Sequence, residues 1–286
     1  MAAFLKSFRE RLHPSNPRIQ IVSDLHLELG QQYSSYVIPP SAPFLLLGGD
    51  IGRLVDYDEY LKFLEVHVRQ YDKVFLVLGN HEFYGLGYEV GLDTARRLSE
   101  EPSLAGKVLL LHRTRWDNPN STLTILGCTL WSEIPDRACG IVESKVNDFK
   151  QIPGWSARKH NMIHAEEVDW LRSQIGQGVP HDGKTKRRIL IVTHHAPCVE
   201  GTSRPEHVNN PWSSAFATDL VVQGGWHGVK TWVFGHTHYS VKLFRDGIKI
   251  VANQRGYVLP GEAGQERSLE AGNNGRKFDP TMVVKV

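Results

Sequence analysis

The chain has little cysteine: Cys128, Cys139 and Cys198 are the three among 286 residues. An odd count at wide spacing excludes a disulfide framework and a zinc ribbon. It leaves reduced thiols in an intracellular compartment as the expectation. There is no apolar run near the length of about 20 residues that crosses a bilayer. Residues 1–17 carry Lys6, Arg9, Glu10 and Arg11 and lack the apolar centre of a signal peptide. They read as an N-terminal extension, and a cytoplasmic protein with no membrane partner is expected. An excess of one charge sign is also missing: 33 Lys and Arg stand against 31 Asp and Glu, a net charge of +2. Such a balance lacks the basic footprint of a nucleic-acid binder. The densest basic run, Lys184-Thr185-Lys186-Arg187-Arg188, lies in a polar stretch and reads as a solvated loop. No internal repeat and no linker divides the chain, so residues 1–286 are expected to form one domain.

What is present is the composition of an ordinary globular protein, 41% apolar and 22% charged. Five short apolar runs of strand length stand out: Arg18 to Val22, Phe44 to Leu47, Lys73 to Leu78, Ile189 to Val192 and Thr231 to Phe234. Their β-branched and aromatic content predicts strands. Each ends abruptly in residues able to bind metals: Asp24 and His26, Asp50, Asn80 and His81, His194 and His195, His236 and His238. Helical periodicity over Asp56–Gln70, Tyr88–Glu100 and Ala157–Ile175 separates the runs. Alternating strands and helices predict an α/β sheet layered by helices. In such sheets ligands bind beyond the carboxyl ends of the strands, so the five clusters should meet on one rim.

Further strands are expected at Val108–Leu111 and Leu123–Leu130, joined by the turn Asp117-Asn118-Pro119-Asn120. A hairpin is expected at Val241–Phe244 and Ile248–Val251, and a last strand within Thr281–Val286. Residues 131–155 show no clear period and read as a long active-site loop. Residues 261–277, rich in glycine and charge, read as a mobile loop.

Asp24, His26, Asp50, Asn80, His194, His236 and His238 offer carboxylate, imidazole and amide donors without a thiolate. That set suits Mn, Fe, Zn or Mg. Seven donors exceed one closed tetrahedral zinc and fit two ions sharing a carboxylate. Singly, Asp24 reads equally well as a turn residue, Asp50 as a helix N-cap and Gly79-Asn80 as a plain turn. Independent turns would not select metal ligands at five strand ends. His67, His112, His160, His164 and His181 read as structural histidines.

Asp24-Leu25-His26, Gly49-Asp50, Gly79-Asn80-His81-Glu82, His194 and Gly235-His236-Thr237-His238 stand in this order along the chain. The series resembles the calcineurin-like metallophosphoesterases, whose pattern is Asp-x-His, Gly-Asp, Gly-Asn-His-Glu/Asp, a lone His and Gly-His-x-His. The resemblance implies two mixed sheets packed as a sandwich flanked by helices. It implies two divalent ions, manganese foremost. One would be held by Asp24, His26, Asp50 and His238, the other by Asp50, Asn80, His194 and His236, with Asp50 bridging. His81 would contact the phosphate and assist the leaving group. Two cations roughly 3.5–4 Å apart suit this chemistry: they activate a bridging water for in-line attack and neutralise phosphoryl charge. A histidine titrates in the range a proton donor needs.

The protein serine/threonine phosphatases of that family carry Gly-Asp-x-x-Asp-Arg-Gly and Arg-Gly-Asn-His-Glu. Here Gly49-Asp50 is followed by Ile51-Gly52-Arg53-Leu54-Val55, and Leu78 precedes Gly79, so the phosphate-gripping arginines are missing from those places. The chain is more similar to bacterial and fungal phosphoesterases of unsettled substrate. The shared blocks are Phe83-Tyr84-Gly85, Thr129-Leu130-Trp131, Asp148-Phe149, His194-His195-Ala196-Pro197 and Asn253-Gln254-Arg255-Gly256-Tyr257. Tyr84, Trp131 and Phe149 are candidates to wall the mouth and stack on an aromatic leaving group, and plain packing is the alternative. His195 is a candidate to bond a substrate or a ligand. The expected activity is hydrolysis of small phosphodiesters, with monoesters as further substrates. A nuclease of the same fold and an inactive metal-binding scaffold are the alternatives. Near-neutral charge speaks against the first, and the filled ligand positions with His81 against the second.

Overall fold

The computed structural model describes residues 17–176, 187–259 and 277–286. The N-terminal extension up to residue 16, the basic residues 184–186, His181 and nearly all of the 261–277 loop lie outside the described residues.

Among the described residues, eleven strands form two mixed sheets. The first has the order β11 (Val283–Lys285), β1 (Arg18–Val22), β2 (Phe44–Gly48), β3 (Lys73–Val77) and β4 (Val108–Leu110). The second runs β5 (Thr114–Asp117), β6 (Leu123–Cys128), β7 (Arg188–Thr193), β8 (Val229–Phe234), β10 (Ile248–Ala252) and β9 (Val241–Arg245). Within each sheet the central pairs are parallel, whereas β11, β5 and β9 pair antiparallel at the edges.

Period-two alternation packs the two sheets face to face. Ile19 and Ile21 of β1, Leu46 of β2, and Phe75 and Val77 of β3 meet Ile125 of β6, Leu190 and Val192 of β7, and Val233 of β8 in one apolar layer. The intervening residues point outward. Leu45, Leu47, Val74 and Leu76 receive α1 (Tyr57–Val68) and α2 (Tyr88–Ser99). Ile189, Ile191, Trp232 and Phe234 receive Val168 and Leu171 of α5 (Ala157–Gly176). These are the two mixed, helix-flanked sheets of the expected sandwich.

The strand at Val108 and the strand at Leu123 belong to different sheets and are not joined by a single turn. The chain crosses between sheets, and the polar turn instead closes β5 onto β6, with Asn118 N–H bonded to Leu123 O at 2.9 Å. The four-residue strand β5 escaped notice because its face is only half buried, which leaves no alternation to read. Segment 131–155 holds two short helices, α3 (Cys139–Lys145) and α4 (Asp148–Gln151). The β9–β10 hairpin turns on Asp246 and Gly247, both at positive φ, as a two-residue primed turn requires. The three cysteines are unpaired. No helix among the described residues is long and apolar enough to cross a membrane.

Candidate metal centre

The carboxyl ends of β1, β2, β3, β7 and β8 open onto one rim, where the chain leaves each strand sharply. Asp24, His26, Asp50, His236 and His238 all have positive φ, between 47° and 71°. Each such residue costs about 1–3 kcal/mol and persists only where its surroundings over-determine it. Here hydrogen bonds do so. Asp24 N–H bonds Gly49 O at 2.9 Å, His26 N–H bonds Asp50 O at 3.0 Å, and Gly235 N–H bonds His194 O at 2.8 Å. His236 N–H bonds Asp24 Oδ1 at 2.8 Å. Close approach is the reason for Gly79: a Cβ there would strike Asp50 Oδ1.

Beneath the rim lies Glu82, fully buried. Its carboxylate accepts the N–H groups of Asp50 and Ile51, each at 2.9 Å, and of Gly79 at 2.7 Å, with the Tyr60 hydroxyl at 3.1 Å. One side chain thus ties the loops after β2 and β3 together. This explains the acid in Gly79-Asn80-His81-Glu82.

The seven candidate ligands come together in two overlapping groups. Donor atoms of Asp24, His26, Asp50 and His238 lie within 4.8 Å of one another, and so do those of Asp50, His194 and His236. Asp50 belongs to both. Asn80 Oδ1 lies 3.1 Å from His194 Nε2 and so joins the second group. Asp50 Oδ2 is 3.3 Å from His194 Nε2 and 3.8 Å from His26 Nε2.

The donors fit cations and do not fit one another. His26 Nε2 and His238 Nε2 face each other at 2.9 Å. Asp24 Oδ2 and His236 Nε2 are buried with no hydrogen-bond partner among the described residues, a costly arrangement in a dry site. Burial also pushes the Asp24 carboxyl up to about 6. Burial disfavours a charge on His194 too, but Asp50 beside it raises its pKa to about 10. The protein alone therefore balances Asp50 with protons, where divalent ions would balance it directly.

His81 belongs to neither donor group but adjoins both: its N–H donates to Asp50 Oδ1 at 2.9 Å, and its ring nitrogen lies within 4.8 Å of donor atoms of His26 and Glu28. Its Nδ1 donates to Glu28 Oε1 at 2.8 Å, its ring stacks on Tyr84 with centroids 4.2 Å apart, and its Nε2 lies 3.3 Å from the Tyr257 hydroxyl. Burial opposes its charge, yet Asp50 and Glu28 raise its pKa to about 9. Glu28 also lies 3.3 Å from His26 Nδ1.

A cleft of about 530 Å³ opens over the rim, with Asp50, Asn80, His236 and His238 at its floor and His81, Tyr84 and Tyr257 on one wall. Trp212 and Phe216 also line it, and Phe216 stacks on His236 at 4.7 Å. Of the aromatic candidates, only Tyr84 borders the cleft. Trp131 is fully buried against Trp155, their centroids 4.3 Å apart. Phe149 packs on the core and stacks on His160. His195 is fully buried with its ring 4.1 Å from that of His236. It supports a candidate ligand and does not line the cleft. His67, His160 and His164 are buried and bond main-chain groups, as structural histidines do.

The structure adds Glu28, Asp148, Tyr257, Trp212 and Phe216 to the surroundings of the site. Glu28 continues the alternation of Asp24 and His26, which was a usable signal. Tyr257 follows Arg255, whose guanidinium bonds Leu25 O at 3.2 Å and Gln32 Oε1 at 2.9 Å, bracing the Asp24 loop. Trp212 and Phe216 lie in a stretch without periodicity and gave no signal.

A relative from Acanthamoeba polyphaga mimivirus, uncharacterized protein L509, is 28% identical over 265 residues, covering 84% of this chain and 91% of its own. Among solved structures, the phosphopantetheinyl hydrolase of Mycobacterium tuberculosis superposes with a TM-score of 0.63. It is 20% identical and covers 91% of this chain and 96% of that one, a likeness of fold. Residues 17–240, which contain all seven candidate ligands and His81, match the family model of the calcineurin-like phosphoesterases. The chain belongs to that family, metal-dependent hydrolases of phosphate esters.

Proposed function

We propose that the protein hydrolyses small phosphate esters, diesters foremost and monoesters second, at a centre of two divalent ions. The observation that carries this reading is the pair of buried donor groups sharing Asp50 at the floor of a metabolite-sized cleft. Asp24, His26, Asp50 and His238 would hold one ion, and Asp50, Asn80, His194 and His236 the other. Manganese suits this oxygen–nitrogen set best, with iron, zinc and magnesium as alternatives. Bound there, the ions would neutralise charge on the phosphoryl oxygens and lower the pKa of water for in-line attack.

The protein's own groups do the rest. Glu28 accepts from His81 Nδ1, which fixes the ring and leaves Nε2 toward the cleft, and Asp50 and Glu28 favour the ring's protonated form. The Nε2 proton goes to the departing ester oxygen, and Glu28 stabilises the charge while the ring holds it. Tyr84 fixes the ring plane by stacking. Phe216 and Trp212 give an aromatic or apolar ester group a surface to pack on, and Lys145 and Arg204 also line the cleft. A cleft of about 530 Å³ suits a metabolite-sized ligand. Unpaired cysteines fit a reducing compartment, and the reading includes a cytoplasmic site of action.

The test is turnover of bis-para-nitrophenyl phosphate, para-nitrophenyl phosphate, cyclic nucleotides and single-stranded DNA by stripped protein refilled with Mn, Zn, Fe or Mg. Metal-dependent turnover, fastest on a small diester, is expected. Preferential cleavage of DNA would replace this reading with a nuclease. No turnover of any ester with two ions bound would leave a metal-binding scaffold.

A further inference from the structure

We infer that Asp148 is a positioning residue that decides which end of the Asn80 amide faces the metal centre. The inference rests on the ligand set proposed above. An amide has two ends of nearly equal shape. The oxygen can bind a cation and the NH2 cannot, and only the surrounding hydrogen bonds choose between them. Asn80 Nδ2 lies 2.7 Å from Asp148 Oδ1, and Asn80 Oδ1 lies 3.1 Å from His194 Nε2.

Asp148 Oδ1 accepts from both the Asn80 NH2 and the Tyr84 hydroxyl, so it presents an acceptor to the amide. A reversed amide would set two oxygens against each other at the Asp148 side and turn the NH2 toward the proposed ion. Asp148 therefore excludes the orientation that cannot bind metal. The carboxylate is itself held in place: it is 1% exposed, and the Tyr84 hydroxyl donates to the same Oδ1 at 2.7 Å. It comes from the first turn of α4, 68 residues away in sequence. The Asp148-Phe149 block thereby acquires a role that its distance from every ligand motif concealed. Partners outside the ligand set commonly change metal affinity about 10–100-fold.

The competing explanation is that Asp148 only anchors the 139–151 segment. The two differ in the sign of a coupling. A carboxylate at position 80 presents an oxygen in either orientation and needs no partner to choose for it. Asn80→Asp should therefore weaken Mn binding in the wild-type background, where it faces Asp148. It should strengthen binding in the Asp148→Ala background, where it does not. Binding is read by calorimetry and metal analysis, with circular dichroism to confirm folding. Asp148→Ala alone should weaken one of two ions about 10–100-fold and leave the other unchanged.

The Tyr84 hydroxyl is a second, longer acceptor of the Asn80 NH2, at 3.2 Å, so Tyr84→Phe, which keeps Asp148, should cost clearly less affinity than Asp148→Ala. If the alanine protein does not fold, the near-isosteric Asp148→Asn takes its place, and Asn80→Asp should strengthen binding there as well. An effect of Asn80→Asp with the same sign in both backgrounds would overturn the inference. So would equal weakening of both ions by Asp148→Ala, or reproduction of its loss by Tyr84→Phe. Wild-type protein that binds fewer than two ions would overturn the ligand set and this inference with it. Two ions in the wild type, with no effect of Asp148→Ala, would overturn only the positioning role.

Discussion

Along β1, Ile19 and Ile21 enter the apolar layer between the sheets with ordinary strand geometry, whereas Asp24 and His26, a few residues on, are buried carboxylate and imidazole at positive φ. The same change occurs along β2, from Leu46 to Asp50, and along β8, from Val233 to His236. The interior satisfies itself, because apolar side chains need only density. The rim does not: its backbone is strained, and the buried Asp24 Oδ2 and His236 Nε2 have no hydrogen-bond partner among the described residues. The sandwich therefore holds the rim in a shape the rim would not choose, with donor groups that fit cations better than one another. Stability and activity should separate cleanly between these two regions.

The largest expected effect tests that separation at the rim. Strong chelation should abolish turnover and Mn should restore it, while far-UV circular dichroism stays unchanged. Full activity in verified metal-free protein would remove the reason for the rim's strain. Asp50→Asn narrows the test, because Asp50 belongs to both donor groups. It should deplete both ions, where Asn80→Ala depletes one. Metal analysis that finds two ions at wild-type affinity in the Asp50 variant would refute its bridging place.

His81→Ala sharpens the comparison inside the rim, by dividing proton transfer from metal binding. Both ions should remain and turnover should fall about 10²–10⁴-fold. The loss should be smaller for a nitrophenolate leaving group than for an alkoxide, which needs the proton more. An equal loss for both would mean that His81 positions phosphate and donates nothing. In the interior, Phe75→Ala should do the reverse. It should lower unfolding free energy by about 3–5 kcal/mol in denaturant titration and leave metal stoichiometry intact.

Much of this division was legible in the sequence because the two regions use different alphabets. The alternation of Leu45, Leu46 and Leu47 about the sheet cannot be read from three leucines, but the abrupt end of such a run in Gly49-Asp50 can. Five such endings gave the rim and its candidate ligands. What stayed illegible depends on distance in the chain. Nothing in Asp148 announces a hydrogen bond to Asn80, and nothing in Trp212 or Phe216 announces a cleft wall. Trp131 illustrates the opposite failure: an aromatic beside a motif suggests a substrate contact, yet its neighbours Trp155 and Phe83 enclose it completely. Side chains marked by a local motif could be read, and those that no motif marks could not.

The smallest expected effect concerns a buried carboxyl that no cation will rescue. Glu167 of α5 is fully buried, and the one basic group within 4 Å of it among the described residues is His112, at 3.9 Å. Burial raises its pKa to about 8 from the usual 4.5. A carboxyl raised in this way contributes its full stability below the unfolded value, and that contribution is lost as pH rises toward the folded value. The slope is at most about 1.4 kcal/mol per pH unit. His112 works in the other direction. Burial lowers its pKa to about 4 from 6.5, so it costs stability as pH falls through that range and masks Glu167 there. Between pH 6.5 and 8 Glu167 acts without that opposition, and stability should decline with rising pH. Glu167→Gln cannot ionise and should flatten the decline, making the variant more stable than wild type at pH 8 relative to pH 6.5. Guanidinium unfolding of metal-free protein at the two pH values measures this, since chelation removes the rim's ions from the balance. An unchanged slope in the glutamine variant would mean that Glu167 ionises freely, and that the interior tolerates unpaired charge as the rim does.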